Sequence, residues 1–353
     1  MDLSFYKGKT VFVTGHTGFK GSWLCSLLLE LGAKVIGYAL EPNTTPNLFT
    51  LLKLEEKITH IQGDIRDYEN IHHAISTYQP EIVLHLAAQP LVRESYENPV
   101  YTYETNVMGT VNLCEAIRNT TSVKSFLNVT TDKVYENKEW HWGYRENEPL
   151  NGFDPYSNSK SCSELVTSSY INSFFKEKNI PVSTARAGNV IGGGDFSADR
   201  IIPDCVRAME EKKDICIRNP HSTRPYQHVL EPICAYLMIA QEQYLDSTKA
   251  GHYNVGPEDT DCVTTGTLVA LFCKKWGESA TWKNISLENQ PHEANFLKLD
   301  CSKLKYTFDW HPKWTIEEAL SYTVDWSKVY LEQGDLEDVT RRQIQEYLIE
   351  SES

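Results

Sequence analysis

Lys9-Thr10-Val11-Phe12-Val13-Thr14-Gly15-His16-Thr17-Gly18-Phe19-Lys20-Gly21 is the stretch that decides the fold of this chain. Its β-branched and aromatic start predicts a buried strand, and the apolar run Ser22 to Leu31, closed by Gly32, predicts a helix. The glycines between them permit a sharp turn and let free backbone N–H groups at a helix N-terminus approach an anion. Lys34-Val35-Ile36-Gly37-Tyr38-Ala39 predicts the next strand, which completes a βαβ unit. In that setting Gly15, His16, Thr17, Gly18, Phe19, Lys20 and Gly21 are candidate contacts for a dinucleotide pyrophosphate.

Downstream, strand-like runs at Ile58 to Gln62, Ile82 to Leu86, Ser125 to Val129 and Val182 to Arg186 alternate with helical patterns. The helices are expected near Tyr68 to Tyr78, Val100 to Arg118 and Ser157 to Glu177. This alternation predicts an α/β fold, a Rossmann-type doubly wound parallel sheet. After Gly188 the pattern turns irregular, with Gly192-Gly193-Gly194, short strands and helices expected near Val263 to Trp276 and Ile316 to Gln333. The division expected is a nucleotide-binding domain over residues 1–187 and a smaller mixed α/β lobe over 188–353 that holds substrate. The helical stretch within 228–246 is expected to pack back on the first domain. Asp335 to Ser353, rich in charge, is expected to be an exposed helix with a frayed end.

With 353 residues and 41% hydrophobic content, the chain suffices for a large enzyme core. A net charge of -14 argues against nucleic acid or an anionic membrane surface as partner. No apolar stretch is long enough to span a bilayer, and the N-terminus lacks the pattern of a signal peptide. Nine scattered cysteines without a Cys-x-x-Cys pair indicate thiols in a reducing compartment, the cytoplasm, with neither a disulfide frame nor a metal site.

Two short motifs carry the chemistry. Tyr156 is the only tyrosine with a lysine, Lys160, four positions on, which puts both on one helix face. An adjacent ammonium lowers a phenol's pKa from its reference of about 10 and makes it a usable base. Ahead of it, Thr131-Asp132-Lys133 falls at the carboxyl end of a strand, where ligands of such sheets bind. NAD is favoured over NADP because no arginine follows the second strand, although the acid that usually holds the ribose is displaced to Glu41. Asp64 and Ile65, after the third strand, and Ala87 and Ala88, after the fourth, are further cofactor candidates.

The phosphate turn, His85-Leu86-Ala87-Ala88-Gln89-Pro90, Thr105-Asn106-Val107, Thr131-Asp132-Lys133 and Tyr156-Ser157-Asn158-Ser159-Lys160 together resemble the extended short-chain dehydrogenase/reductase superfamily, and within it the nucleotide-sugar 4,6-dehydratases. Lys138 to Glu148, Arg186 to Asp195 and Gln290-Pro291-His292-Glu293-Ala294 are similar to the branch of these enzymes that acts on CDP-glucose. Most dehydratases of the wider group carry Asp-Glu after the threonine; this chain has Asp-Lys, the pattern of that branch.

The resemblance implies a reaction. Tyr156 takes the 4-hydroxyl proton while NAD accepts the C4 hydride, with Lys160 holding the nicotinamide ribose and Thr131 near O4. Asp132 then protonates the departing 6-hydroxyl. An ammonium cannot accept a proton, so Lys133 is the C5 base only if its neighbours strip its charge; otherwise it stabilises charge at O4 or orients Asp132. The resemblance also assigns Gln89, Asn189, Arg200, Arg224 and His292 to the substrate, CDP-glucose, and implies a homodimer or homotetramer. A nucleotide-sugar 4-epimerase, or a dehydratase of another nucleoside diphosphate glucose, is the alternative. Epimerisation needs no acid and base at C5 and C6, so Asp132-Lys133 counts against it.

Overall fold

Six strands, β1 (Thr10–Thr14), β2 (Lys34–Ala39), β3 (Thr59–Gln62), β4 (Ile82–His85), β5 (Ser125–Thr131) and β6 (Val182–Ala187), lead the chain through the computed structural model. Residues 2–277, 280–285 and 296–349 are described. Alternation along a strand decides which side of the sheet each residue serves. Val11 and Val13 of β1 face one core with Trp23, Leu24 and Leu27 of the helix Phe19–Glu30. Phe12 faces the other, with Ile71 and Ile75 of the helix Tyr68–Tyr78 and Leu113 and Ile117 of the helix Gly109–Arg118. Both faces are covered, which is why these strands read as continuous apolar runs.

Beyond β6 come the short strands β7 (Val190–Ile191), β8 (Ile215–Ile217), β9 (Thr223–Pro225) and β10 (Gln227–His228), and then β11 (His252–Val255) returns to the main sheet. The spatial order is β11-β6-β5-β4-β1-β2-β3, every pairing parallel. This is the doubly wound parallel sheet the alternation predicts. A separate core gathers Ile202, Ile215, Phe272 and Leu320 beneath the short strands. The helix Leu230–Leu245 lies on the sheet instead: Tyr236, Leu237 and Ile239 join the core of Val11 and Val13.

Two local expectations are corrected. Val263 is in a strand (Cys262–Thr264) paired with Arg224, and the helix starts at Thr265, where the Thr264 side chain caps Thr267 N–H. The C-terminal helix Leu336–Ile349 is not an exposed appendage, since Val339, Ile344 and Tyr347 are buried in the main core. Its apolar positions fall at helical spacing but are diluted by charge, so composition hides the stripe. No helix among the described residues is long and apolar enough to cross a membrane.

Candidate active site

Two cavities meet at the carboxyl edge of the sheet. The smaller, about 350 Å³, lies over the glycine turn. The larger, about 1140 Å³, runs from the ends of β5 and β6 toward β8 and the Arg224 strand. Lys20, Thr130, Tyr156 and Arg200 border both.

The turn is shaped by what its glycines exclude. Gly15 has φ +75°, and a Cβ there would lie 2.7 Å from Ala87 N; a Cβ on Gly21 would lie 2.2 Å from Gly15 O. Helix and strand therefore touch backbone to backbone. At Gly18, the residue preceding the helix Phe19–Glu30, an added Cβ would meet nothing closer than 3.5 Å, so that helix start opens onto the cavity. A helix N-terminus open in this way suits a pyrophosphate.

Thr17, Phe19, Lys20, Asp64, Ile65, Ala87 and Ala88 line the same cavity, as the sequence suggests. Asp64 is at once a turn carboxylate, gripped by Arg66, and a wall of the cavity. Glu41, the acid displaced from the end of β2, lines it too.

His16 does not line it. Its ring is buried behind the turn, with Nε2 2.7 Å from His60 Nδ1, and occupies the space that a Cβ on Gly37 would fill. Burial, reinforced by His60, pulls its pKa down to about 3, so the ring is neutral.

Tyr156 and Lys160 project from the helix Pro155–Tyr170, which starts where Asp154 caps Ser157 N–H and Pro155 occupies the first turn. The strand opposite delivers Thr131 at the end of β5, and its hydroxyl donates to Asp132 Oδ1 at 3.0 Å. Asp132 is only 1% exposed, and its Oδ2 has no hydrogen-bond partner among the described residues. Burial raises its pKa against the opposing pull of Lys133, Thr131 and Arg224, which favours the protonated acid. Thr131, Asp132, Lys133 and Tyr156 all line the larger cavity.

One electrostatic expectation is corrected. Burial pushes the Tyr156 phenol up to about 12, with the Thr131 hydroxyl opposing, whereas the Lys160 ammonium donates to Val129 O at 3.2 Å. Lys160 is drawn down to about 8 by burial and then by Lys20. The four-residue spacing puts the pair on one face, but desolvation of the phenol outweighs the Thr131 hydroxyl and the Arg200 charge that oppose it.

Asn189, Arg200 and Arg224 line the larger cavity together. Gln89 does not: it borders the smaller one, and its side chain is spent on Leu91 N–H, Leu91 O and Thr102. His292 lies outside the described residues. Sequence reasoning missed Arg93 and Arg218, which face the larger cavity from a helix after β4 and a loop after β8 and meet on the Asp199 carboxylate. Their separation along the chain leaves no periodic signal. Ser222, Tyr226 and Thr265, hydrogen-bonded to one another beside the cavity, were equally invisible.

A family profile described as GDP-mannose 4,6 dehydratase matches residues 12–323. The chain belongs to that family. Among similar proteins, a CDP-glucose 4,6-dehydratase of Salmonella typhimurium is 49% identical over 99% of this chain and 98% of its own length. A dTDP-glucose 4,6-dehydratase of Xanthomonas campestris pv. campestris is 28% identical over 90% of this chain and 92% of its own. The same fold occurs in a dTDP-glucose 4,6-dehydratase of Bacillus anthracis solved with NAD, with TM-score 0.76, 23% identity, and coverage of 93% of this chain and 99% of that one. A Thermus thermophilus UDP-glucose 4-epimerase, also with NAD, superposes at TM-score 0.78 and 24% identity over 90% and 99% of the two chains.

Proposed function

We propose that this protein converts CDP-D-glucose to CDP-4-keto-6-deoxy-D-glucose and water, with NAD as a cofactor regenerated in each turnover. The observation that carries the reading is Asp132: a buried carboxyl group favouring its acid form, in the same cavity as a Tyr-x-x-x-Lys pair. A mere oxidoreductase or 4-epimerase has no use for such an acid. The choice of cytidine rests on the Salmonella relative.

The C5 hydrogen of glucose is not acidic until C4 is a ketone. NAD, which Gly15, Gly18, Asp64 and Ala87 around the smaller cavity would hold, would supply a reversible acceptor for the sugar's hydride. Tyr156 takes the proton of the 4-hydroxyl, helped by Thr131, and Lys160 holds the nicotinamide ribose. Asp132 protonates the leaving 6-hydroxyl, and Lys133 beside it either removes the C5 proton, if its neighbours strip its charge, or as an ammonium stabilises charge at O4 or orients Asp132. Asn189, Arg200 and Arg224 hold the diphosphate, a local cationic seat in a chain of net charge -14.

Residues 1–187, with 228–246 packed back on them, would carry the cofactor, and the rest of 188–353 that lines the larger cavity would hold most of the nucleotide sugar. Val100, Tyr103, Met108, Leu165 and Phe174, exposed on two helical segments, would contribute apolar surface to a homodimer or homotetramer. The expected setting is the cytoplasm, with the product entering deoxysugars of O-antigen or other surface polysaccharide.

Incubation with CDP-glucose in heavy water, followed by NMR, tests the reading. A 6-deoxy-4-keto sugar with deuterium at C5 is expected. Galactose stereochemistry without solvent label would replace dehydration by epimerisation, and turnover of another nucleoside diphosphate glucose in preference would overturn the cytidine assignment.

A further inference from the structure

Behind the Tyr156–Lys160 face, one turn further along the same helix, Glu164 is completely buried. Its Oε1 accepts from Thr130 Oγ1 at 2.5 Å and Arg186 Nε at 3.0 Å; its Oε2 accepts from Thr184 Oγ1 at 2.7 Å and Arg186 Nη2 at 3.0 Å. Three elements are therefore fastened to one carboxylate: β5 immediately before Thr131, β6, and the helix bearing the tyrosine and lysine. Arg186 extends the network to the Tyr135 hydroxyl and Glu146 O, and Tyr135 to Asn254 of β11.

For stability alone this is a costly arrangement, since apolar residues of similar volume often serve as well as a buried ion pair. Its position suggests another use. Lys160 is buried with the cationic Lys20 of the glycine-turn helix nearby, and Glu164 is the carboxylate that opposes them. His85 of β4 faces Lys160 as a neutral ring, its pKa drawn down to about 3 by burial and then by Lys160. Glu164 is in turn faced by Arg186 of β6, His252 of β11 and Tyr135. Burial raises its pKa, but His252 and Arg186 more than reverse this and keep it a carboxylate.

We propose that Glu164 is a positioning residue of the reaction: it locks the Thr131–Asp132 strand end against the Tyr156–Lys160 helix and keeps Lys160 an ammonium. The second half follows from charge. Without the carboxylate, burial and Lys20 both act to strip the proton from Lys160. Its role in turnover rests on the reaction proposed above; its effect on Lys160 does not.

The test reads Lys160 directly, by competitive acetylation across pH without cofactor or substrate, followed by mass spectrometry of its peptide. In Glu164→Gln the midpoint for Lys160 is expected to fall, the effect of losing an opposite charge one helical turn away. The single variant leaves Arg186 buried and unpaired, so Glu164→Gln/Arg186→Met, which is spared that strain, reads a shift of the same sign but smaller, because a positive charge leaves with the negative one. Glu164→Asp retains the charge and is expected to hold the wild-type midpoint. An unmoved Lys160 in the folded double variant, or an Asp variant shifted as far as the Gln variant, overturns the proposal.

Rapid mixing with NAD and CDP-glucose adds the kinetic arm: the alkaline limb of C4 oxidation should move to lower pH in the charge-removing variants. Absence of cofactor reduction in the wild type would instead refute the proposed reaction and leave the labelling result standing.

Discussion

At the scale of single residues, the division of labour among Tyr156, Asp132 and Lys133 separates by step. Tyr156→Phe is expected to lower the rate of cofactor reduction roughly 100- to 10,000-fold, the usual worth of a positioned general base, as read by absorbance in a single turnover. Lys133→Arg keeps the charge but is a poor base, so it should oxidise C4 and stall at elimination as Lys133→Met does. Recovery of dehydration in the Arg variant would make Lys133 an electrostatic partner instead.

Asp132 predicts a pH effect with a definite sign. Its raised pKa means that the fold prefers the acid, so stability falls as pH rises through the carboxyl range and the buried group must ionise. Asp132→Asn should therefore be more stable than wild type at pH 7. The gap should close below pH ~4, where both folded and unfolded carboxyls are protonated, and denaturant titration at the two pH values checks it. That Tyr156 and Asp132 come to one cavity was legible from spacing and strand position. Their protonation was not: the sequence places Lys160 near Tyr156, but burial of each side chain sets the balance.

Among elements, the glycine turn was the most legible because each glycine answers a backbone constraint acting within a few residues or across one strand pairing. Gly21→Ala would drive a Cβ to 2.2 Å from Gly15 O, so the helix must retreat from β1. A stability loss of roughly 1–3 kcal/mol is expected by thermal or chemical unfolding. Gly18→Ala meets nothing closer than 3.5 Å and should fold normally, yet weaken NAD measured by calorimetry because its methyl borders the cofactor cavity. Equal stability loss in the two variants would contradict this account of the turn. His16, in the same motif, shows where motif reading stops: the turn's backbone is specified locally, while the imidazole's direction depends on Gly37 and His60 of neighbouring strands.

On the scale of the whole molecule, the C-terminal helix is docked through Glu231, a buried carboxyl on the helix Leu230–Leu245. It accepts from Lys313 N–H, Trp314 N–H and the Tyr347 hydroxyl. Burial pushes its pKa up to about 7 against those hydrogen bonds. The unfolded chain releases this proton near pH 4 to 5 and the fold retains it until about 7, so stability should decline across that window and level off above it. Relative to Glu231→Gln, wild type should lose on the order of 3 kcal/mol between pH 4.5 and 8 by denaturant unfolding. A pH-independent difference would show that the fold leaves Glu231 at its unfolded value.

The chain's own order of residues determined the alternation of strand and helix, the phosphate turn and the two reactive motifs, since each depends on periodicity or spacing over fewer than about twenty positions. Only tertiary structure decided that β11 returns to the sheet, that Arg93 and Arg218 meet on Asp199, and that Glu164 stands behind Lys160 with Arg186. Those contacts join segments distant in sequence, and their energies come from burial and charge in a shared interior, a quantity with no local signature.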